Sequence, residues 1–480
     1  MASQPEHLHF LLIPLMSQSH IIPLTDFAKS LASRGPLVSM ITTPKNAIRL
    51  KPLTDYATRE NLKIQLIPIP FPGQQVGLPE GCENSESLPS TSFTKAFLDA
   101  CSLMQESIEN AAKNLDPKPS CIVSTNALLW TQNLAQNLGI PRYVFQTVSS
   151  FTLLCADRIG KVLRSGWPED LEPVLLPDLP HKIEFRKSQL PERSSRKGSD
   201  DQWKEVQDLA AGTLVNSFEE MEGWYVEEQK KHIKNYWDIG PVSLINNIGS
   251  SGTAKNDDHH SLKWLNSMKP NSVIYACFGS LCHLSFSQLR EIGLGLEASG
   301  SPFIWVIREP DYSAEVEKWL KDEKFEERVK GIVVRGWAPQ VPILSHSSVG
   351  GFLTHCGWNS TLEAVCAGVP MLCWPMFNEQ FFNEKFVVDV LKIGVRIGVE
   401  TDTKVGEEEK ALVESEQIKA AIDQIMDEGE EGEERRKTAR KLSEMAINAI
   451  QEGGSSYRNI TLLIQDVLQL QLATGKANEF

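Results

Sequence analysis

Short apolar runs alternate with helix-period patterns along most of this chain. His9–Leu15 is a mostly apolar run. It is followed by Leu24, Phe27, Ala28 and Leu31, which fall on one helical face and stop at Gly35-Pro36. Further strands are predicted at Leu37–Thr42, Ile64–Ile69, Cys121–Ser124 and Thr213–Asn216. Between them, Thr91–Leu115 reads as one long helix and the Gly- and Pro-rich stretch Phe71–Ser90 as a loop. A second alternation begins with strand Ser272–Phe278 and helix Ser287–Ala298. It continues through strands Phe303–Ile307, Ile332–Arg335 and Val349–Leu353 to helix Thr361–Ala367. A last helical pattern, Arg458–Leu472, follows Gly453-Gly454.

This pattern predicts an α/β protein with parallel, doubly wound sheets in two halves, binding its ligand in a cleft at the strands' carboxyl ends. Asn246–His260 is poor in apolar residues and serves as the expected linker. The predicted division is therefore 1–245, linker 246–260, 261–457, and a terminal segment 458–480.

At 480 residues the chain is long enough for two full cores. The net charge of −14, from 48 basic and 62 acidic residues, disfavours a nucleic-acid partner. Much of the acid lies in Glu407–Glu434, which reads as a solvated surface. The nine cysteines form no C-x-x-C pair, which suggests buried thiols in a reducing compartment. No Lys or Arg precedes the apolar start, so His9–Met16 is read as a core strand rather than a signal peptide. No run of eighteen apolar residues occurs, so no stable membrane insertion is expected. A soluble, cytoplasmic protein follows from these readings.

The candidate chemistry is concentrated between Trp337 and Gln380. Trp337-Ala338-Pro-Gln340 follows a predicted strand, where an indole can either pack against the protein or stack on a flat base. Gln340 offers both a donor and an acceptor. His355-Cys-Gly357-Trp358-Asn359-Ser360 joins a strand to a helix, so backbone N–H groups and the helix dipole make an anion site there. Asn359 and Ser360 would also serve as ordinary N-caps. Ser280, beside Gly279 at the end of another strand, adds a hydroxyl at the same sheet edge, and Glu363 lies one helical turn from Asn359. Glu379 and Gln380 form an acid–amide pair able to hold vicinal hydroxyls. By contrast, Gly293-Leu-Gly-Leu-Glu-Ala298 fits G-x-G-x-x-A but lies inside a helical pattern, which argues against a dinucleotide-binding turn.

The 44 residues from W-A-P-Q to W-P-M-F-N-E-Q closely resemble the signature of the plant family 1 UDP-dependent glycosyltransferases. Ser17-Gln-Ser-His20-Ile-Ile-Pro23, Gly77-Leu-Pro-Glu-Gly-Cys82 and Phe278-Gly-Ser-Leu281 extend the likeness over nearly the whole chain. The resemblance implies a GT-B fold, with two Rossmann-like domains facing across a cleft and a C-terminal helix returning to the first domain. It implies an inverting transfer of glucose from a UDP-sugar to a small apolar acceptor such as a flavonoid, another phenol, a triterpenoid or a steroid. The product would be a β-glycoside, made by a monomer with no cofactor or metal.

The resemblance also assigns roles. Trp337 would stack on uracil, Ala338 would meet the base edge, and Gln340 would lie near the ribose. His355, Asn359, Ser360 and Ser280 would hold the diphosphate and Glu363 the ribose hydroxyls. Glu379 and Gln380 would hold the hexose, with Trp358 nearby, and a final Gln goes with glucose.

His20 matches the family's catalytic base, at a helix start where a neutral imidazole is favoured. Here the chain departs from the pattern. The family's partner Asp is replaced by Thr125, followed by Asn126; either can hold the ring by a hydrogen bond, but neither brings negative charge. A weakened or inactive nucleotide-sugar-binding homologue is therefore the competing expectation. The acceptor pocket is expected from Ser17–Ser19, Phe71–Leu103, Thr125–Leu129, Phe145–Leu154 and Phe185–Leu190.

Overall fold

A computed structural model describes residues 7–167, 172–191, 199–247, 259–400 and 412–477. Most of the expected linker, and the first part of the acidic run, lie outside them.

The first sheet has seven strands: β1 (His9–Ile13), β2 (Leu37–Thr42), β3 (Ile64–Pro68), β4 (Cys121–Thr125), β5 (Arg142–Gln146), β8 (Gly212–Val215) and β9 (Tyr236–Asp238). Between β5 and β8 the short hairpin β6 (Val174–Leu175) and β7 (Glu184–Phe185) stands apart. The order β3-β2-β1-β4-β5-β8-β9 is parallel throughout. The second sheet runs β12-β11-β10-β13-β14-β15, also all parallel. Its strands are β10 (Val273–Cys277), β11 (Phe303–Ile307), β12 (Gly331–Arg335), β13 (Val349–Thr354), β14 (Met371–Cys373) and β15 (Gly394–Arg396). In both sheets the chain reverses direction of winding beside its first strand, the arrangement that opens a binding crevice at the carboxyl ends.

Burial on both faces explains the continuous apolar runs of the central strands. β1, β4, β5 and β11 are buried at every position. Two residues per strand turn would alternate only if one face met water, and none of these strands alternates. Leu24, Phe27, Ala28 and Leu31, on the helix Gln18–Ala32, pack into the core around β1 and β2.

The chain divides into two compact units: 1–150, 197–249 and 448–480 form one, and 151–196 with 250–447 the other. A single cut at the linker therefore does not separate them, because Phe151–Arg196 groups with the second half. The terminal helix Ser455–Ala477 belongs to the first unit. Its Asn459 donates to the Asp238 carbonyl at 2.9 Å, and Asp466 accepts from Tyr143 Oη at 2.6 Å.

Several elements differ from the sequence reading. The expected helix Thr91–Leu115 is broken at Met104 into Thr94–Leu103 and Gln105–Lys113. β5 was not anticipated because Arg142 and Gln146 bracket its apolar centre; Arg142 is buried and donates to Ser124 Oγ at 2.8 Å. Burial lowers that guanidinium to about 10. β9, β14 and β15 are three-residue strands, too short to show a period. The G-x-G-x-x-A segment lies in helix Phe286–Ser299, and its glycines answer to packing. A Cβ on Gly293 would stand 2.6 Å from the Trp319 ring, and one on Gly295 would stand 2.7 Å from Ile418.

Candidate active site

Four loops at the carboxyl ends of the second sheet carry the predicted donor residues. Ser280 follows β10, Trp337 follows β12, His355 follows β13, and Glu379 and Gln380 follow β14. Parallel pairing puts these ends on one edge, so residues up to a hundred positions apart converge.

Gln340 ties two of the loops together. Its Nε2 donates to Ser360 Oγ at 2.9 Å and to Glu363 Oε2 at 2.8 Å. Its Oε1 accepts from Tyr275 Oη at 3.4 Å, and the Tyr275 ring stacks on Phe352. Trp337, three residues before Gln340, is 70% exposed and meets only the edge of His259 among the described ring contacts. The exposed indole leaves a ring face available for stacking. Ala338 is buried beside it.

The helix after β13 starts at Trp358, three residues earlier than its apolar pattern suggests, and its N-cap is Gly357. Asn359 and Ser360 are thus inside the first turn rather than capping it. A glycine cap has no side chain to bond the first-turn amides, so no side-chain cap forms. Asn359 is half-buried; Trp358 is buried, with its ring 6.3 Å from that of Phe386.

His355 sits in a slot between two glycines. A Cβ on Gly279 would lie 2.5 Å from its ring, and one on Gly357 would lie 2.4 Å from its Nε2. Gly279 also has φ +71°, where other residues are strained. Burial, with Arg308 adding to it, lowers the imidazole to about 4, and its Nδ1 is buried without a hydrogen-bond partner. The ring is therefore neutral at physiological pH and able to donate from one nitrogen.

Arg308, at the end of β11, was not anticipated. It donates to the Ser280 carbonyl and pairs with Asp311 at 2.9 Å, with His283 alongside. An arginine closing an apolar strand, F-I-W-V-I-R, was the available signal. Ser280 itself is exposed. In the acid–amide pair the roles separate. Gln380 is buried, and its Oε1 accepts from the Met376 and Phe377 amides at 2.8 and 3.1 Å. Glu379 is half-buried at the N-cap of helix Gln380–Lys385.

The sequence and the fold match those of known proteins. The family model described as UDP-glucoronosyl and UDP-glucosyl transferase matches residues 10–426. The chain belongs to that family. UDP-glycosyltransferase 73E1 of Stevia rebaudiana is 45% identical, with 98% of each chain covered. UDP-glycosyltransferase 73C3 of Arabidopsis thaliana is 43% identical over 98% of this chain and 99% of its own. The crystal structure of Glycyrrhiza uralensis UGT73P12, complexed with glycyrrhetinic acid 3-O-monoglucuronide, superposes with a TM-score of 0.89 at 35% identity, covering 98% of both chains. The protein is thus a plant-type UDP-glycosyltransferase of GT-B fold, transferring a sugar to a small acceptor.

In the transferase's first unit, His20 is the third residue of helix Gln18–Ala32 and is half-buried. Thr125 ends β4, fully buried, and its Oγ1 accepts from the Leu15 amide at 2.8 Å. The residue in the usual Asp position therefore pins the loop that leads to His20. Glu86 holds the other end of that loop: its Oε1 accepts from Ser17 Oγ and from the Gln18 amide, each at 2.7 Å. It lay hidden in the stretch read as a loop, where no periodicity marks a side chain. All nine cysteines are free. Among the described residues no helix is long and apolar enough to cross a membrane.

Proposed function

We propose that the protein moves glucose from UDP-glucose to a hydroxyl of a small apolar acceptor with inversion, giving a β-glucoside. The observation that carries this reading is the Gln340 side chain, which joins Ser360 and Glu363 behind an exposed Trp337. That arrangement suits a uracil on the indole, ribose hydroxyls at Glu363 and Gln340, and a diphosphate at the uncapped helix start beside His355. As the sugar leaves, negative charge grows on the diphosphate. The helix N-terminus, a donating His355 and Arg308 supply positive potential there, so the departure needs neither metal nor cofactor. Glu379 and the Gln380 amide hold the hexose.

His20 acts as the base. It accepts the acceptor's proton while the oxygen bonds to the anomeric carbon and the bond to UDP breaks. The acceptor is a flat or polycyclic molecule of the phenol, triterpenoid or steroid kind. Support comes from the neighbour complexed with glycyrrhetinic acid 3-O-monoglucuronide.

The test is mass-spectrometric detection of a β-glucoside after incubation with UDP-glucose and a panel of such acceptors, with UDP-galactose and UDP-glucuronic acid in parallel. His20→Ala is expected to lower transfer by about 10²-fold or more while leaving UDP affinity unchanged. UDP release without any glycoside, or full activity in His20→Ala, would contradict the reading.

A further inference from the structure

The strand end beside the His20 loop carries Thr125, which is neutral, yet a carboxylate is bound to that loop from elsewhere. Glu86 lies in the turn Ser85–Ser87, and its Oε1 takes both the Ser17 hydroxyl and the Gln18 amide. Gln18 is the first residue of the helix and His20 the third, so the carboxylate is bonded to the same helical turn that carries the imidazole. Further bonds fix the arrangement. The Ser85 amide donates to the Met16 carbonyl at 3.0 Å, and the Ser17 and Ser19 hydroxyls lie 3.1 Å apart. Glu86 Oε2 is buried and has no hydrogen-bond partner, a costly state for an ionised oxygen unless positive charge arises nearby.

We propose that Glu86 is the positioning residue that balances the charge of His20 when it takes the acceptor's proton, the part Thr125 cannot play. This rests on His20 being the base. During transfer the O–H proton passes to the neutral imidazole, the oxygen's electron pair forms the bond to the anomeric carbon, and UDP departs with the pair of the broken bond. The Glu86 carboxylate acts on the imidazolium by its field, and by taking the Gln18 N–H it also offsets the positive helix end that would oppose that charge. Several other charged or titratable groups on the surrounding elements have partners or environments of their own. Asp26 pairs with Lys29 at 3.2 Å further along the helix, Glu83 accepts from the Lys45 amide at 3.0 Å, and burial pushes the Cys101 thiol up to about 12.

Glu86→Gln tests this, because the amide oxygen still accepts from Ser17 and Gln18 while the charge is gone. Removing a negative neighbour lowers the basicity of His20. The acid limb of the kcat/KM profile should therefore move to lower pH by about one unit, and the plateau should fall about tenfold. The loss should be larger for aliphatic alcohols than for phenols, which are more acidic. UDP affinity, read separately, reports on folding. A second arm is the double-mutant cycle with Thr125→Asp: the new carboxylate should raise the rate of Glu86→Gln several-fold more than it raises that of the native protein. An acid limb that stays in place, or a cycle that is additive, would overturn the proposal while leaving the functional reading intact. Absence of any glycoside from the native protein would overturn both.

Discussion

Trp337 and His355 are the single residues at which the proposed donor site is most directly tested. Trp337 is exposed and supports no core, so Trp337→Ala should leave the melting temperature within about a degree. Stacking of a base on an aromatic is worth about 1–3 kcal/mol, so UDP affinity should fall roughly 5- to 150-fold by calorimetric titration. Unchanged affinity would remove the indole from the site. His355 is the converse, half-buried as a residue, with Nδ1 buried and unpartnered and its pKa lowered from 6.5 to about 4. The unfolded chain binds a proton below 6.5 and the folded one only below about 4, so the unfolded state holds more protons across that window. This contribution to stability is present above 6.5 and is lost as pH falls towards 4. His355→Asn should flatten the pH dependence of denaturant-induced unfolding between those values, and an identical slope would show the ring titrating normally. The glycine slot around that ring was not legible in the sequence. Gly279 and Gly357 stand 78 positions apart, and only the pairing of β10 with β13 places both against His355.

Among the elements, the terminal helix depends on polar anchors as much as on its apolar face. Asn459 donates to the Asp238 carbonyl, and Arg34 to the Tyr457 carbonyl at 2.8 Å, while Ile460, Leu463 and Val467 are buried. Asn459→Ala leaves a buried carbonyl short of a donor and should cost about 1–3 kcal/mol, read as a lower midpoint of chemical denaturation for the first unit. A midpoint unmoved within error would mean that the apolar face alone holds the helix. The helix was legible from its period, as were most strands, because burial on both faces writes itself as an apolar run. Arg142 in β5 shows where that signal fails: a buried guanidinium bonded to Ser124 breaks the run without breaking the strand. Thr94–Leu103 and Gln105–Lys113 show the opposite case, in which a continuous helical pattern hides a break at Met104.

For the whole molecule, two compact units with separate cores predict separable responses to ligand. The donor residues Ser280 through Gln380 all lie in the second unit. UDP at about 100 times its dissociation constant should therefore stabilise the calorimetric transition of that unit by about 2.7 kcal/mol and shift the other less. Equal shifts would show that the two unfold as one cooperative body.

The residue pattern by itself determined the α/β class, the two alternating halves and the chemical inventory of the donor site. Hydrophobic periodicity and strand–loop–helix junctions are local properties, and each is written within a few neighbouring positions. What only the tertiary structure decided is which distant groups meet: Gln340 with Ser360 and Glu363, Arg308 with Ser280, Thr125 with Leu15, and Glu86 with Gln18. Those contacts depend on strand order and loop path, which no short window of sequence encodes. The carboxylate that holds Ser17 and Gln18 comes from a turn nearly seventy residues away rather than from the neighbouring strand, so its place could be seen only once the chain had folded.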